Sequence, residues 1–101
     1  MSKVKIEIDA DLQDLVPQFV ENRKRDLENL QQLVSKRDIE AIAALAHKIK
    51  GAAAGYGFNE LSDLASQLEK AAKAKDEAPL ESLVQKMKVH FSNIEIQYIA
   101  M

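Results

Sequence analysis

His47 and His90 are the two histidines of the 101-residue chain, which has no cysteine. Thiolate nucleophiles and thiolate-built zinc sites are therefore excluded. His47 is the better placed histidine. Ala43 and Ala44 precede it and Lys50 and Gly51 follow it at spacings of three and four, which on a helix surround one side chain. Near neutral pH an ordinary imidazole offers an uncharged nitrogen as nucleophile, and an ammonium one turn away can offset the charge of a transferred phosphoryl group. A glycine inside a helix costs about 1 kcal/mol relative to alanine, so Gly51 requires a compensating reason. Close approach by a partner over the small residues Ala43, Ala44, Gly51 and Ala54 supplies one. Lys48, beside them, reads as a solvated side chain or as a contact for an acidic partner.

Other chemistries find less support. His90 lies at the margin of an apolar stripe between Met87 and Ile94 and reads as a partly buried structural residue. Two histidines on different helices, without carboxylates at matching spacing, make a poor metal site. Gly51, Gly55 and Gly57 form no phosphate-cradling loop, since no Lys-Ser/Thr pair follows them and no strand precedes them. The chain reads as a stoichiometric carrier rather than an enzyme, with no cofactor or metal of its own. On position alone His47 would be an ordinary surface histidine; Lys50, Gly51 and Glu69 together reverse that reading.

The elements that must position these residues are helical. Val4, Ile6 and Ile8 alternate with charged neighbours, as an extended lead-in over residues 1–8 would. Asp9 or Asp11 can cap a short helix holding Leu12, Leu15 and Val16, and Pro17 has the preset backbone angle of a first helical turn. From there Phe19, Val20, Leu27, Leu30 and Val34 make one apolar stripe in a helix running to about Lys36. Asp38 caps the next, in which Ile39, Ile42, Ala46, Ile49 and Ala53 face inward and which Gly55 and Gly57 close. Asn59 caps a third, with Leu61, Leu64, Ala65, Leu68 and Ala72 inward. Pro79 opens a fourth, whose stripe continues from Leu80 through Leu83, Val84, Met87 and Phe91 to Ile94 and Tyr98.

Short connections between amphipathic helices predict an all-α, antiparallel up-down-up-down four-helix bundle with a short extra N-terminal helix. The bundle would span about residues 9–99 of a single domain, 1–101. On the second long helix His47 lies roughly 140° from the centre of the apolar face, so it should point to solvent. If the turn falls between Gly55 and Asn59, His47 is about 12 Å before it and Glu69 about 15 Å beyond it, at one level of the hairpin. Glu69 could then accept a hydrogen bond from one imidazole nitrogen and leave the other free to attack. Arg23 falls on the inward stripe of the first long helix, where a snorkelling pair with an acidic neighbour or a second cation near the phosphoryl group would account for it.

The formal net charge of −2 comes from 14 basic and 16 acidic residues interspersed along the chain, which argues against nucleic acid as a partner. Reading residues 39–73 as a helix-turn-helix would place Glu60, Asp63 and Glu69 where base and phosphate contacts need cations and amides. Met1 is followed by a polar stretch, so neither a signal peptide nor a membrane span is expected, and a cytoplasmic monomer is.

The run Ala46-His47-Lys48-Ile49-Lys50-Gly51-Ala52-Ala53, then Gly57, Leu61, Leu64 and Leu68-Glu69, resembles the signature of histidine phosphotransfer (HPt) domains: His-x-x-Lys-Gly, a later Gly, and a Leu-Glu pair on the next helix. The resemblance implies that His47 is phosphorylated, that Lys50 assists with charge, that Gly51 keeps the surface open, that Gly57 shapes the turn and that Glu69 bonds the histidine. It implies a four-helix bundle without a nucleotide site, exchanging phosphoryl groups with the aspartate of a receiver domain in a response regulator or hybrid histidine kinase. The receiver supplies the Mg²⁺. Gly55-Tyr56-Gly57-Phe58 is richer in glycine than the common pattern. A degenerate module that docks without phosphorylation is the alternative.

Overall fold

The computed structural model describes residues 4–100. Strand β1, Val4–Asp9, is followed by a single 3-10 turn at Ala10–Leu12 and four helices: α1 Val16–Lys36, α2 Ile39–Tyr56, α3 Asn59–Lys73 and α4 Leu80–Ser92. Strand β2, Ile94–Ile99, ends the fold. Cross-helix pairs fix the directions. Phe19 stacks on Tyr56 and Asp26 meets Lys48, while His47 meets Glu69 and Lys50 meets Ser62. Gln31 meets Gln85 and Glu28 meets Lys88. In each set one number rises as the other falls, so α1 and α2, α2 and α3, and α1 and α4 all run antiparallel. The bundle is up-down-up-down, and no helix among the described residues is long and apolar enough to cross a membrane.

The stripes read from the sequence form the core. Leu30, Ile42, Ile49, Leu61, Leu68, Val84 and Met87 are fully buried, and at one end Phe58 lies between the rings of Phe19 and Phe91, with centroids 4.7 and 6.1 Å away. The charged pair on α1 has the same origin as its neighbours: Arg23 follows the inward stripe, so it is buried, and its Nε donates to Asp26 Oδ2 at 2.8 Å while the guanidinium lies 5.0 Å from the Phe19 ring. The acidic neighbour expected for it is there, but the pair is buried and the guanidinium does not snorkel to solvent.

Helix ends account for the short connections. Asp38 caps α2 through its side chain, which accepts from the Ala41 N–H at 3.3 Å. At the other end the Gly57 N–H donates to the Ala54 carbonyl and the Phe58 N–H to the Ala53 carbonyl, the paired closure of a Schellman motif with Phe58 driven into the core. Gly57 has φ +88° and a Cβ there would meet only the Glu7 carbonyl, at 3.7 Å. Space is not the constraint; the left-handed backbone is. Gly57→Ala should therefore destabilise the protein by about 1–2 kcal/mol, read as a lower urea midpoint at unchanged slope. Arg37 and Lys75 adopt the same left-handed conformation at the ends of α1 and α3, with φ 57° and 58°.

Four expectations are corrected. The short extra N-terminal helix is absent: Asp9 does cap, accepting from the Asp11 N–H at 2.9 Å, but what it caps is the 3-10 turn, and Leu15 and Val16 lead directly into α1. Too few residues separate the end of β1 from Pro17 for an independent helix to form. The last helix does not reach Tyr98. Asn93 ends it, its side-chain amide donating to the Val89 carbonyl at 2.9 Å, and Ile94, Ile96 and Tyr98 belong to a strand that pairs in parallel with β1, Val4 opposite Ile94 through Asp9 opposite Ile99. Ile94 and Tyr98 fit a period of four as well as one of two, so spacing alone does not separate helix from strand here. At α3 the N-cap is Phe58, without a side-chain bond, and Asn59 is the first helical residue. Pro79 immediately precedes α4.

Candidate functional site

α2 and α3 form the most extensive helix pair, joined by the two-residue turn at Gly57 and Phe58. The Ser62 hydroxyl donates to the Lys50 carbonyl at 3.0 Å and holds the register between them. With that register set, His47 on α2 and Glu69 on α3 stand at one level, as their distances from the turn predict. The imidazole is outside, its side chain 68% exposed, whereas the Glu69 side chain is 6% exposed. His47 Nδ1 lies 2.9 Å from Glu69 Oε2.

Glu69 gathers cations as well. Lys50 Nζ donates to its Oε1 at 2.7 Å and Lys73 Nζ to its Oε2 at 3.0 Å. Burial alone would raise the carboxyl pKa. Hydrogen bonds from Lys50 first, then Lys73, with a smaller contribution from His47, overcome that and hold it at about 2 against an ordinary 4.5. At neutral pH the group is a carboxylate and can only accept. His47 Nδ1 must therefore carry a proton, and in the neutral ring the lone pair is on Nε2, the nitrogen that faces away from Glu69.

The depressed pKa has a consequence for stability. A carboxyl whose folded-state pKa lies below its unfolded value stabilises the fold fully above the unfolded value, and the contribution is lost as pH falls through the folded one. Wild type should thus be more stable than Glu69→Gln by a constant margin above about pH 4.5, and the margin should close between pH 4.5 and 2. Parallel urea melts across that window check it; a margin unchanged down to pH 2 would contradict the ion cluster.

The residues predicted to surround His47 fall where the wheel puts them, with one exception. Ala44, Lys48, Gly51 and Ala54 are exposed, and nothing lies within 4 Å of a Cβ placed on Gly51. Ala43 is half-buried and packs toward the core. Lys48 Nζ lies 3.8 Å from Asp26 Oδ1, which ties the α2 surface to the Arg23–Asp26 pair on α1. Gly57 stands at the turn. Lys73 was missed: it is the second cation at Glu69, and its place four residues after Glu69 on one helix was the available signal.

His90 takes no part in this cluster. It is buried, with Nδ1 3.0 Å from Glu60 Oε2, and its Nε2 has no hydrogen-bond partner among the described residues. No group of three or more His, Cys, Asp or Glu side chains among the described residues could hold a metal ion.

Searches among curated proteins and among solved structures found no match. A family model does: that of the Hpt domain, over residues 14–97. The matched stretch takes in all four helices, including both that carry the imidazole and its carboxylate, and because it covers far more than half of the sequence, the chain belongs to the Hpt domain family.

Proposed function

We propose that His47 carries a phosphoryl group between receiver domains of response regulators or hybrid histidine kinases, as a stoichiometric relay step. The observation that carries this reading is the bond from an exposed imidazole to a buried carboxylate held ionised by two lysines. Attack by the Nε2 lone pair on the phosphorus of an aspartyl phosphate forms the P–N bond as the P–O bond to the receiver's aspartate breaks, and that aspartate leaves as a carboxylate. Nδ1 keeps its proton throughout. The ring becomes cationic, and Glu69, already ionised and already in place, stabilises that charge with no reorganisation. Lys50 and Lys73 stand where they can turn from Glu69 toward the phosphoryl oxygens.

The exposed small residues Ala44, Gly51 and Ala54, with Ala43 and Lys48 beside them, leave room for a receiver's pocket to close over the ring. Mg²⁺ comes with the receiver. Gly57, by fixing the turn, sets the register that aligns the two helices of the site.

The test is transfer from a radiolabelled receiver phosphorylated at its aspartate. Label should pass to this chain with Mg²⁺ present, ATP alone should give none, and the product should survive base and be lost in acid, as a phosphoramidate is. An acid-stable adduct would move the site to a serine or tyrosine hydroxyl, the chain having no threonine. No transfer from any receiver would favour a docking module that works without phosphorylation.

A further inference from the structure

The two strands β1 and β2 form a sheet with no third strand among the described residues. Two-stranded sheets are marginal in water, and parallel pairing is the weaker kind. One edge is covered, because the outward Glu7 carbonyl of β1 faces the α2–α3 turn at Gly57. The other edge is open. Val4 N–H donates to the Asn93 carbonyl at 2.8 Å, and since peptide groups alternate along a parallel ladder, Glu95 and Gln97 turn theirs toward β1 while Ile94, Ile96 and Tyr98 turn theirs outward. Among the described residues no helix contacts β2 as extensively as β1 does, and Ile94, Ile96 and Tyr98 rest on the core through one face of the strand. Nor does the strand carry the lysine, proline or bulge that usually protects an edge.

We infer that this edge is a dimerisation strand, on which the β2 strands of two copies of the chain pair antiparallel about a two-fold axis at Ile96 to make one four-stranded sheet. The strand is complementary to itself in this register. Ile96 exchanges backbone bonds with Ile96 of the partner subunit, and Ile94 does so with Tyr98 of the partner subunit, so every outward peptide group of the strand interior is used. On the apolar face the half-buried Ile94, Ile96 and Tyr98 of both copies become one continuous stripe. On the solvent face Glu95 stands opposite Gln97 of the partner subunit and away from its own copy, so no like charges oppose each other. A register centred on Glu95 would set the two carboxylates face to face. The site stays open in the dimer, because His47 lies about 15 Å along α2 from Gly57, the residue beside the sheet. The monomer expected from sequence is thereby replaced by a two-fold pair.

Sedimentation equilibrium of the full chain from micromolar to millimolar concentration tests this, with three variants. Ile96→Pro removes an N–H that points away from β1, so the intramolecular ladder is kept, and it should raise the dimer dissociation constant about tenfold to a hundredfold. Gln97→Glu places a carboxylate opposite Glu95 twice over and should weaken the dimer by about two- to thirtyfold, whereas Gln97→Lys should tighten it by a similar factor. If Ile96→Pro loses helicity or melts early, the opposed Gln97 variants decide. A monomer throughout the concentration range overturns the inference. So does a dimer whose dissociation constant ignores both charges at position 97, since its contact would lie elsewhere on the chain.

Discussion

His47→Gln is expected to abolish phosphoryl labelling from a phosphorylated receiver while leaving circular dichroism and melting almost unchanged. The side chain is 68% exposed, and a surface substitution away from the core shifts stability by no more than about 0.5 kcal/mol. Its removal does not strand Glu69, because Lys50 and Lys73 continue to satisfy that carboxylate. Chemistry and fold are thus separable at this one position. His90 provides the contrast: it is buried and paired with Glu60, so His90→Gln should disturb packing and spare labelling. Labelling lost with His90→Gln and kept with His47→Gln would refute the assignment of the site.

Lys50→Ala should slow transfer about ten- to a hundredfold without abolishing it, the loss of one charge-assisted hydrogen bond worth about 1.5–3 kcal/mol in the transition state. Transfer survives because Lys73, on the same carboxylate oxygen as the imidazole, remains as a cation. Glu69→Ala acts through ring orientation and the charge of the phosphorylated imidazole, and its effect should be smaller than that of Lys50→Ala. Single-turnover rates at saturating receiver separate transfer from docking. A Lys50→Ala variant altered in receiver affinity alone would make the lysine a docking residue.

Much of this was legible in the chain itself. Apolar stripes at helical spacing located all four helices and nearly all of their inward residues, Asp38 and Gly57 marked ends that proved to be capped, and counting residues from the turn put His47 level with Glu69. Each of these depends on local geometry, 1.5 Å of rise and 100° of rotation per residue, which needs no knowledge of the neighbours. The misses have a different origin. Leu12 to Val16 contain helix formers but too few residues between a strand and Pro17, so they feed α1 without making a helix of their own.

What the sequence determined by itself was the set of amphipathic elements, the exposure of His47 and the chemistry of the residues one turn from it, because periodicity and residue type act within a few positions along the chain. Only the tertiary structure decided the rest. Ile94–Ile99 became a strand because Val4–Asp9, from the opposite end of the chain, lies alongside to receive its hydrogen bonds. Glu69 became a carboxyl held at about 2 because donors from two helices, Lys50 first, then Lys73 and His47, converge on it and outweigh the burial that would raise its pKa. Both depend on contacts between residues far apart in sequence, whose energies exist only after the helices have packed.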